Sequence, residues 1–236
     1  MPHLIELADI KKSYQLGATE VVALRGVNLS VDEGEFTVVT GPSGSGKTTL
    51  LNIIGCLDRA SSGHYQLDGL DVSNRDFDDL AEVRNQKIGF IFQNFNLIPV
   101  LNVAENIEFP CTVRKGGEAA SALRARVVAL AKAVGLEPYL HHRPDELSGG
   151  QRQRVAIARA LITQPRLVLA DEPTANLDSK TSEQIIDLML QLNREQKVTF
   201  LFSTHDPRVV KHARRALQVH AHHVLQRAAH EKELLL

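Results

Sequence analysis

The sequence predicts an α/β fold with a mostly parallel core sheet, and three observations carry that prediction. Short apolar runs at residues 35–40, 88–92, 166–170 and 198–203 have the length and composition of strands buried on both faces. Helical stretches alternate with these runs, the arrangement that parallel strands need in order to be connected. The first run leads directly into Gly41-Pro42-Ser43-Gly44-Ser45-Gly46-Lys47-Thr48-Thr49, which fits GxxxxGK[ST] at every fixed position, and residues 49–54 then open a helix.

Taken in order, residues 4–10 alternate and read as a strand, and Lys11-Lys12-Ser13-Tyr14 leads to a turn around Gly17. Residues 21–31 read as a second strand pair, punctuated by Arg25-Gly26 and closed by Asp32-Glu33-Gly34. After the glycine-rich loop and its helix, Ser61-Ser62-Gly63 reads as a turn and residues 64–67 as a short strand ending at Asp68-Gly69. Residues 76–85 form an acidic-fronted helix ahead of the buried strand at 88–92. The pattern then turns helix-rich. Residues 102–109 and 119–134 are helical, the second placing Leu123, Val127, Leu130, Ala131 and Val134 on one face. Such a block between two parallel strands predicts a helical subdomain over 94–163, set into a core formed by 1–93 and 164–236 of a single domain. An amphipathic helix at 182–194 separates the last two buried strands.

Composition narrows the class. The chain has 236 residues, 43% of them apolar and 23% charged, as in an ordinary soluble globular protein. With a net charge of −1 no polyanion-binding surface is implied, local basic patches aside, and nucleic acid is not an expected partner. Cys56 and Cys111 lie far apart in apolar surroundings and read as core residues in a reducing compartment. No apolar run approaches the ~20 residues of a membrane-spanning helix. The N-terminal residues lack the basic flank and apolar core of a signal peptide. A cytoplasmic protein is expected, whose membrane work would pass through a partner.

The glycine-rich segment is a Walker A loop in the context that motif needs. Its glycines let the backbone curl with N–H groups pointing inward, at a helix N-terminus that favours anions. Lys47 would reach the β- and γ-phosphates of a nucleotide, and the Thr48 hydroxyl would ligate Mg²⁺. Residues 167–172 form an apolar strand ending in Asp171 and Glu172, which fits a Walker B strand. Asp171 can then hold Mg²⁺ through its water shell, and Glu172 can polarise an attacking water. Two acids before Pro173 could instead cap a turn. Ser148 begins a helix behind Leu147 and ahead of Gly149, Gly150 and Gln151, making a second anion site without a lysine or, alone, an ordinary capped helix.

Together, Walker A, residues 147–151, Walker B and a histidine after the next strand resemble the ATP-binding subunits of ABC transporters, from about residue 5 to about residue 215. The resemblance implies ATP and Mg²⁺ as ligands, ATP hydrolysis as the activity, and a head-to-tail pair of subunits. In that pair Ser148, Gly149, Gly150 and Gln151 complete the site of the opposite protomer. It also implies that Tyr14 stacks on adenine and that Gln93 links Mg²⁺ and water to the helical subdomain. Asp178, in Asn176-Leu177-Asp178, would belong to the loop that meets the partner, and His205 would contact the γ-phosphate. Read without the resemblance, Tyr14 is a surface tyrosine at a turn and His205 a helix cap.

Residues 52–59 and 88–99 resemble the lipoprotein-release and macrolide-export group of these ATPases. That implies an integral membrane permease as partner and a position on the cytoplasmic face of the membrane, with export or extraction as the work. The stretch 95–101 would help form a groove for a permease helix, or would belong to the subdomain core. A soluble ABC-type ATPase is the alternative, although such chains usually carry two cassettes or coiled-coil insertions. Two departures stand out. Ala175 occupies a position that is commonly glycine, tolerable unless it needs positive φ. Around residues 218–225 no glycine supports a two-residue hairpin, and His220, His222 and His223 match no closed zinc pattern.

Overall fold

The computed structural model describes residues 3–113, 119–220 and 223–228. Ten strands fall into two sheets. Strands β1 (Ile5–Leu16), β2 (Thr19–Val31), β4 (Ser62–Leu67) and β5 (Leu70–Asp71) form an antiparallel sheet in the order β2-β1-β4-β5. Strands β3 (Phe36–Thr40), β6 (Ile88–Ile91), β7 (Leu167–Asp171), β8 (Thr199–Ser203), β9 (Arg215–His220) and β10 (His223–Ala228) form the second, in the order β10-β9-β3-β8-β7-β6. All its pairings are parallel except β10 against β9. The antiparallel N-terminal region is thus a sheet of its own.

The helices are α1 (Lys47–Ile54), α2 (Phe77–Lys87), α3 (Val103–Thr112), α4 (Ala120–Ala133), α5 (Gly149–Leu161), α6 (Ser179–Gln196) and α7 (Pro207–His212). Consecutive strand residues point to opposite faces, so each buried strand feeds two cores. Val38, Val168, Ala170, Phe200 and Phe202 join one cluster with α3, α4, α5 and α6. Val39, Leu167, Leu169 and Leu201 join the other with α1, α2 and the antiparallel sheet. Phe36 packs 4.4 Å from Phe202, ring centroid to centroid, in the first cluster. The block from α3 to α5 therefore shares a continuous core with the sheet. Cys56 is buried in the second cluster, where burial pushes its thiol up to about 11, and Cys111 packs on the first.

Three local expectations are corrected. Residues 21–31 are not a strand pair but part of one long strand, in which Gly26 at φ 82 sits in an irregular stretch of the pairing with β1. Ser62 and Gly63 lie in β4 and not in a turn; a Cβ on Gly63 would fall 2.5 Å from the Asp9 carbonyl oxygen. Both glycines allow the curled β1 to be approached closely. Helix α6 starts at Ser179, three residues early, because the Asp178 carboxylate accepts from the Thr181 amide and caps it. The C-terminal hairpin forms without glycine: β9 and β10 pair from His220↔His223 outward. Ala221 and His222 lie outside the described residues. Among the described residues no helix is long and apolar enough to cross a membrane.

Candidate active site

Strand register decides which loops meet. Val39 of β3 pairs with Ser203 of β8, and Ser203 pairs with Asp171 of β7, so three strands end level with one another. The glycine-rich loop leaves β3, the two acids end β7, and His205 follows β8. All three groups therefore share the carboxyl edge of the parallel sheet, where such folds bind ligands. Two cross-strand bonds fix the edge: the Glu172 amide donates to the Ser203 carbonyl at 2.8 Å, and the Thr204 amide to the Val39 carbonyl at 3.3 Å.

The loop needs its glycines. Gly41, Gly44 and Gly46 have φ of 147°, 77° and 102°. A Cβ on Gly41 would lie 2.2 Å from the Val219 carbonyl oxygen, and one on Gly46 2.6 Å from that of Ala23. The loop is thus wedged between β9 and β2 with its conformation set. Helix α1 has no side-chain cap and no acid in its first turn, so its N-terminal N–H groups stay free for an anion. The Ser45 hydroxyl is buried without a hydrogen-bond partner, and the Lys47 ammonium donates to the Gly41 and Pro42 carbonyls at 2.7 and 2.9 Å. A buried orphan hydroxyl, uncapped amides and an ammonium fit a polyphosphate. Thr48 stands exposed on the same turn, and Asp171 is half-buried at the level strand ends. One hydroxyl and one carboxylate suit Mg²⁺, which keeps most of its shell as water and phosphate oxygens.

Glu172 has φ 45°, an uncommon backbone conformation for a non-glycine residue, and its side chain is only 15% exposed. Its carboxylate is held on both oxygens. Oε2 accepts from the Thr204 hydroxyl at 2.9 Å, and Oε1 lies 2.6 Å from His205 Nδ1. His205 is 84% exposed and does not cap α7; Asp206 does, accepting from the Arg208 amide. Burial alone would raise the Asp206 carboxyl, but the Arg208 guanidinium and amide and the Thr174 hydroxyl bring it below its ordinary value. A cavity of about 520 Å³ opens beside Glu172 and His205, walled by Thr174, Leu177 and Arg208.

Gln93 follows β6, itself paired Ile91↔Ala170 with β7, and is exposed. The Asn176 amide donates to the Gln93 carbonyl at 2.9 Å and to Asn94 Oδ1 at 3.1 Å, tying the loop after β6 to the loop after β7. Ala175 does not have positive φ, so the glycine usual at its position is not required here.

Ser148 caps α5 in a reciprocal box with Gln151: Ser148 Oγ accepts from the Gln151 amide, and Gln151 Oε1 from the Ser148 amide. A Cβ on Gly150 would meet Thr181 Cγ2 at 2.5 Å, and one on Gly149 Leu177 Cδ2 at 3.3 Å. Among the described residues no hydrogen bond or ion pair joins 148–151 to 41–49. Asp178 is engaged locally: the Thr181 hydroxyl and amide, at 2.6 and 2.9 Å, hold its carboxyl below the usual range.

Tyr14 stands on β1 and not in a turn, and is 36% exposed. Its hydroxyl donates to Asp58 at 2.7 Å, and the Lys12 ammonium lies 4.8 Å from the ring centroid while also bonding Asp58 at 2.6 Å. Burial pushes the Tyr14 phenol up and the Asp58 bond adds to this, against the Thr49 hydroxyl. The tyrosine is thus fixed beside α1 with part of its ring open. Asp58, Lys12, Thr204 and Asn176 contribute contacts that sequence reasoning did not find, although Thr204 directly precedes His205 and Asn176 lies in the same loop as Asp178.

Near the stretch 95–101 lies a cavity of about 420 Å³. Of that stretch Asn96 and Ile98 line it, and Leu57, Phe90, Phe92 and Phe109 are among its apolar walls. Leu97 instead packs on the core.

The sequence model of the ABC transporter family matches residues 24–175. The chain is 52% identical over 216 residues to a macrolide export ATP-binding/permease protein of Syntrophobacter fumaroxidans, covering 92% of this chain but 30% of that protein. It is 45% identical over 216 residues to an ABC transporter ATP-binding protein of Methanocaldococcus jannaschii, covering 91% of this chain and 92% of the relative. A solved dimeric structure of that cassette, in a post-hydrolysis state bound to ADP and Pi, superposes with a TM-score of 0.86 at 42% identity, over 95% of this chain and 98% of that one.

Proposed function

Because the chain belongs to the ABC transporter family, we propose that it is the ATP-hydrolysing subunit of a transport system, pairing with a second copy around two ATP molecules to drive a membrane permease. The observation that carries this reading is the level ending of β3, β8 and β7, which sets the phosphate loop beside Glu172, Thr204 and His205.

In this reading the uncapped N–H groups of the loop and of α1 take the phosphates, and Lys47 exchanges the Gly41 and Pro42 carbonyls for phosphate oxygens. The open part of the Tyr14 ring takes the adenine. Thr48, Asp171 and Gln93 would hold Mg²⁺, which when bound offsets the charge on the phosphate oxygens. Glu172 accepts a proton from a water whose oxygen bonds to the γ-phosphorus. The bond from that phosphorus to the β–γ bridging oxygen breaks, its electron pair stays with ADP, and inorganic phosphate forms. His205, exposed and among the described residues bonded only to Glu172, turns to the γ-phosphate. Fixed dipoles and charges supply most of the stabilisation.

Residues 148–151 and Asp178 serve the partner protomer's nucleotide, a reading supported by the absence of any bond from 148–151 to this chain's own loop. The dimeric ADP- and Pi-bound relative is in keeping with it. The apolar groove at Phe90 and Phe109 receives a permease helix, which holds the subunit on the cytoplasmic face of the membrane, and residues 94–163 act as the subdomain that senses it. The export-type relatives favour export or extraction as the work done.

The test is ATP hydrolysis by the purified chain with Mg²⁺. Lys47→Ala removes a point charge that lies outside the core, so the fold should survive while turnover disappears. Hydrolysis by Lys47→Ala at the parental rate would show that the loop is not the phosphate site.

A further inference from the structure

We propose that Thr204 is a positioning residue for hydrolysis: its buried hydroxyl anchors Glu172 through Oε2 and so reserves Oε1 as the oxygen that takes the proton. The inference rests on the ATPase reading above and deepens it.

The two oxygens of Glu172 have partners of opposite character. Oε1 meets His205, whose side chain is 84% exposed and attached to nothing else among the described contacts. Oε2 meets Thr204, which is 0% exposed and fixed at both ends of its hydroxyl. The Asp206 amide donates to Thr204 Oγ1 at 3.0 Å, occupying a lone pair. The hydroxyl proton is then directed to Oε2, at 2.9 Å, the acceptor the structure offers it. Backbone bonds lock both residues: the Thr204 amide to Val39, and the Glu172 amide to Ser203. The Oε2 contact is therefore a permanent brace between the ends of β8 and β7, and the Oε1 contact an exchangeable one.

This division matters because a glutamate side chain has three rotatable bonds. Glu172 leaves the sheet from an uncommon backbone conformation, φ 45°, and among the described residues Thr204 and His205 are the hydrogen-bond partners of its carboxylate. When His205 leaves Oε1, only the Thr204 bond holds the carboxylate in place. A base displaced by about 1 Å loses on the order of a hundredfold in rate. Thr204 bonds the Glu172 carboxylate and acts through it.

The experiment measures single-turnover ATP hydrolysis and fluorescent-nucleotide affinity for Thr204→Val, Thr204→Ser, and Thr204→Val combined with Glu172→Gln. Valine keeps the shape and removes the hydroxyl. The expected result is a rate loss of about ten- to a hundredfold for Thr204→Val with nucleotide affinity unchanged. Serine should recover most of the rate, because it restores both hydrogen bonds. With Glu172→Gln present, the valine should cost no comparable further factor, since the group it positions no longer acts as a base. Should the valine variant melt near the assay temperature, Thr204→Ala carries the same expectations. An active parent with an equally active Thr204→Val overturns the inference and leaves the ATPase reading standing. So does a valine loss of equal size with and without Glu172→Gln. An inactive parent removes the ATPase reading, and this inference with it.

Discussion

Replacing Glu172 by glutamine separates binding from chemistry, and the structure sets the size of each effect. The glutamine carbonyl can stand where Oε2 stands and still accept from Thr204, and its NH₂ can donate to a neutral His205 Nδ1. The side chain keeps its volume and both neighbours. Exchanging a charge-assisted hydrogen bond for a neutral one costs about 1 kcal/mol, so the fold should persist. The rate is another matter, because an amide cannot take the water's proton. Losing a general base removes roughly 10²- to 10⁴-fold in rate, or about 2.7 to 5.4 kcal/mol of barrier at 1.36 kcal/mol per decade. Nucleotide binding, held by the Walker A loop and Asp171, should continue. ATP-closed dimers should then accumulate instead of cycling. Size-exclusion chromatography with light scattering, at equal protein concentration and with ATP, should show a dimer for Glu172→Gln and mainly monomer for the parent. Turnover near the parental rate would place the base elsewhere. A variant that binds ATP yet stays monomeric would remove the two-subunit mechanism.

Ser148→Arg should abolish hydrolysis while isolated chains still bind nucleotide if, as proposed, 148–151 serve the partner's site; loss of nucleotide binding by the monomer would contradict this. Tyr14→Ala should weaken nucleotide binding by about 1–3 kcal/mol, the worth of a base–aromatic stack. Tyr14→Phe, which keeps the ring and gives up only the Asp58 bond, should retain most of the affinity in the same titration. Gly89→Ala is a stability prediction: its Cβ would sit 2.3 Å from the Ala160 carbonyl oxygen, where β6 packs on α5. Overpacking of this kind costs about 1–3 kcal/mol, read as a lower midpoint in urea with an unchanged slope.

How much was legible in the sequence followed the range of the interactions concerned. Strands β3, β7 and β8 were readable because burial on both faces leaves a run of apolar residues, with ends displaced by a residue or so. The Walker A loop was readable because the conformation of Gly41, Gly44 and Gly46 is written in residue type. Glycine was misread where it serves a sheet. Gly26 and Gly63 looked like punctuation, yet each lies inside a strand where another segment comes too near for a Cβ. Asp178 was read as part of the loop that meets the partner, and its bonds to the amide and hydroxyl of Thr181 were not foreseen. What stayed hidden depends on pairing between distant segments. Thr204 reaches Glu172 only because β7 and β8 are neighbours in register, and Tyr14 reaches Asp58 only because β1 passes beside the segment that follows α1. Neither contact has a periodicity or a spacing to announce it.

The same distant pairings make the candidate site a connected body. The Arg159 guanidinium, on α5, donates to the Phe95 and Asn96 carbonyls at 2.7 and 2.5 Å, and burial lowers its pKa. Phe95 and Asn96 both have positive φ, so Arg159 braces an uncommon backbone that begins two residues after Gln93. Arg159 also lines the apolar groove. From Gln93 the Asn176 amide leads to the loop after Glu172. From Thr174 in that loop a 2.9 Å bond leads to Asp206, two residues beyond Thr204. Arg208 returns from Asp206 to the Ser179 carbonyl at 3.1 Å, at the start of the helix whose Thr181 packs on Gly150. A displacement of the groove wall at Arg159 must therefore either break a charge-assisted bond or move the segment after Gln93. That segment cannot move far without pulling Asn176. Breaking such a bond costs about 1.5–3 kcal/mol, a cost that motion of the whole connected set avoids.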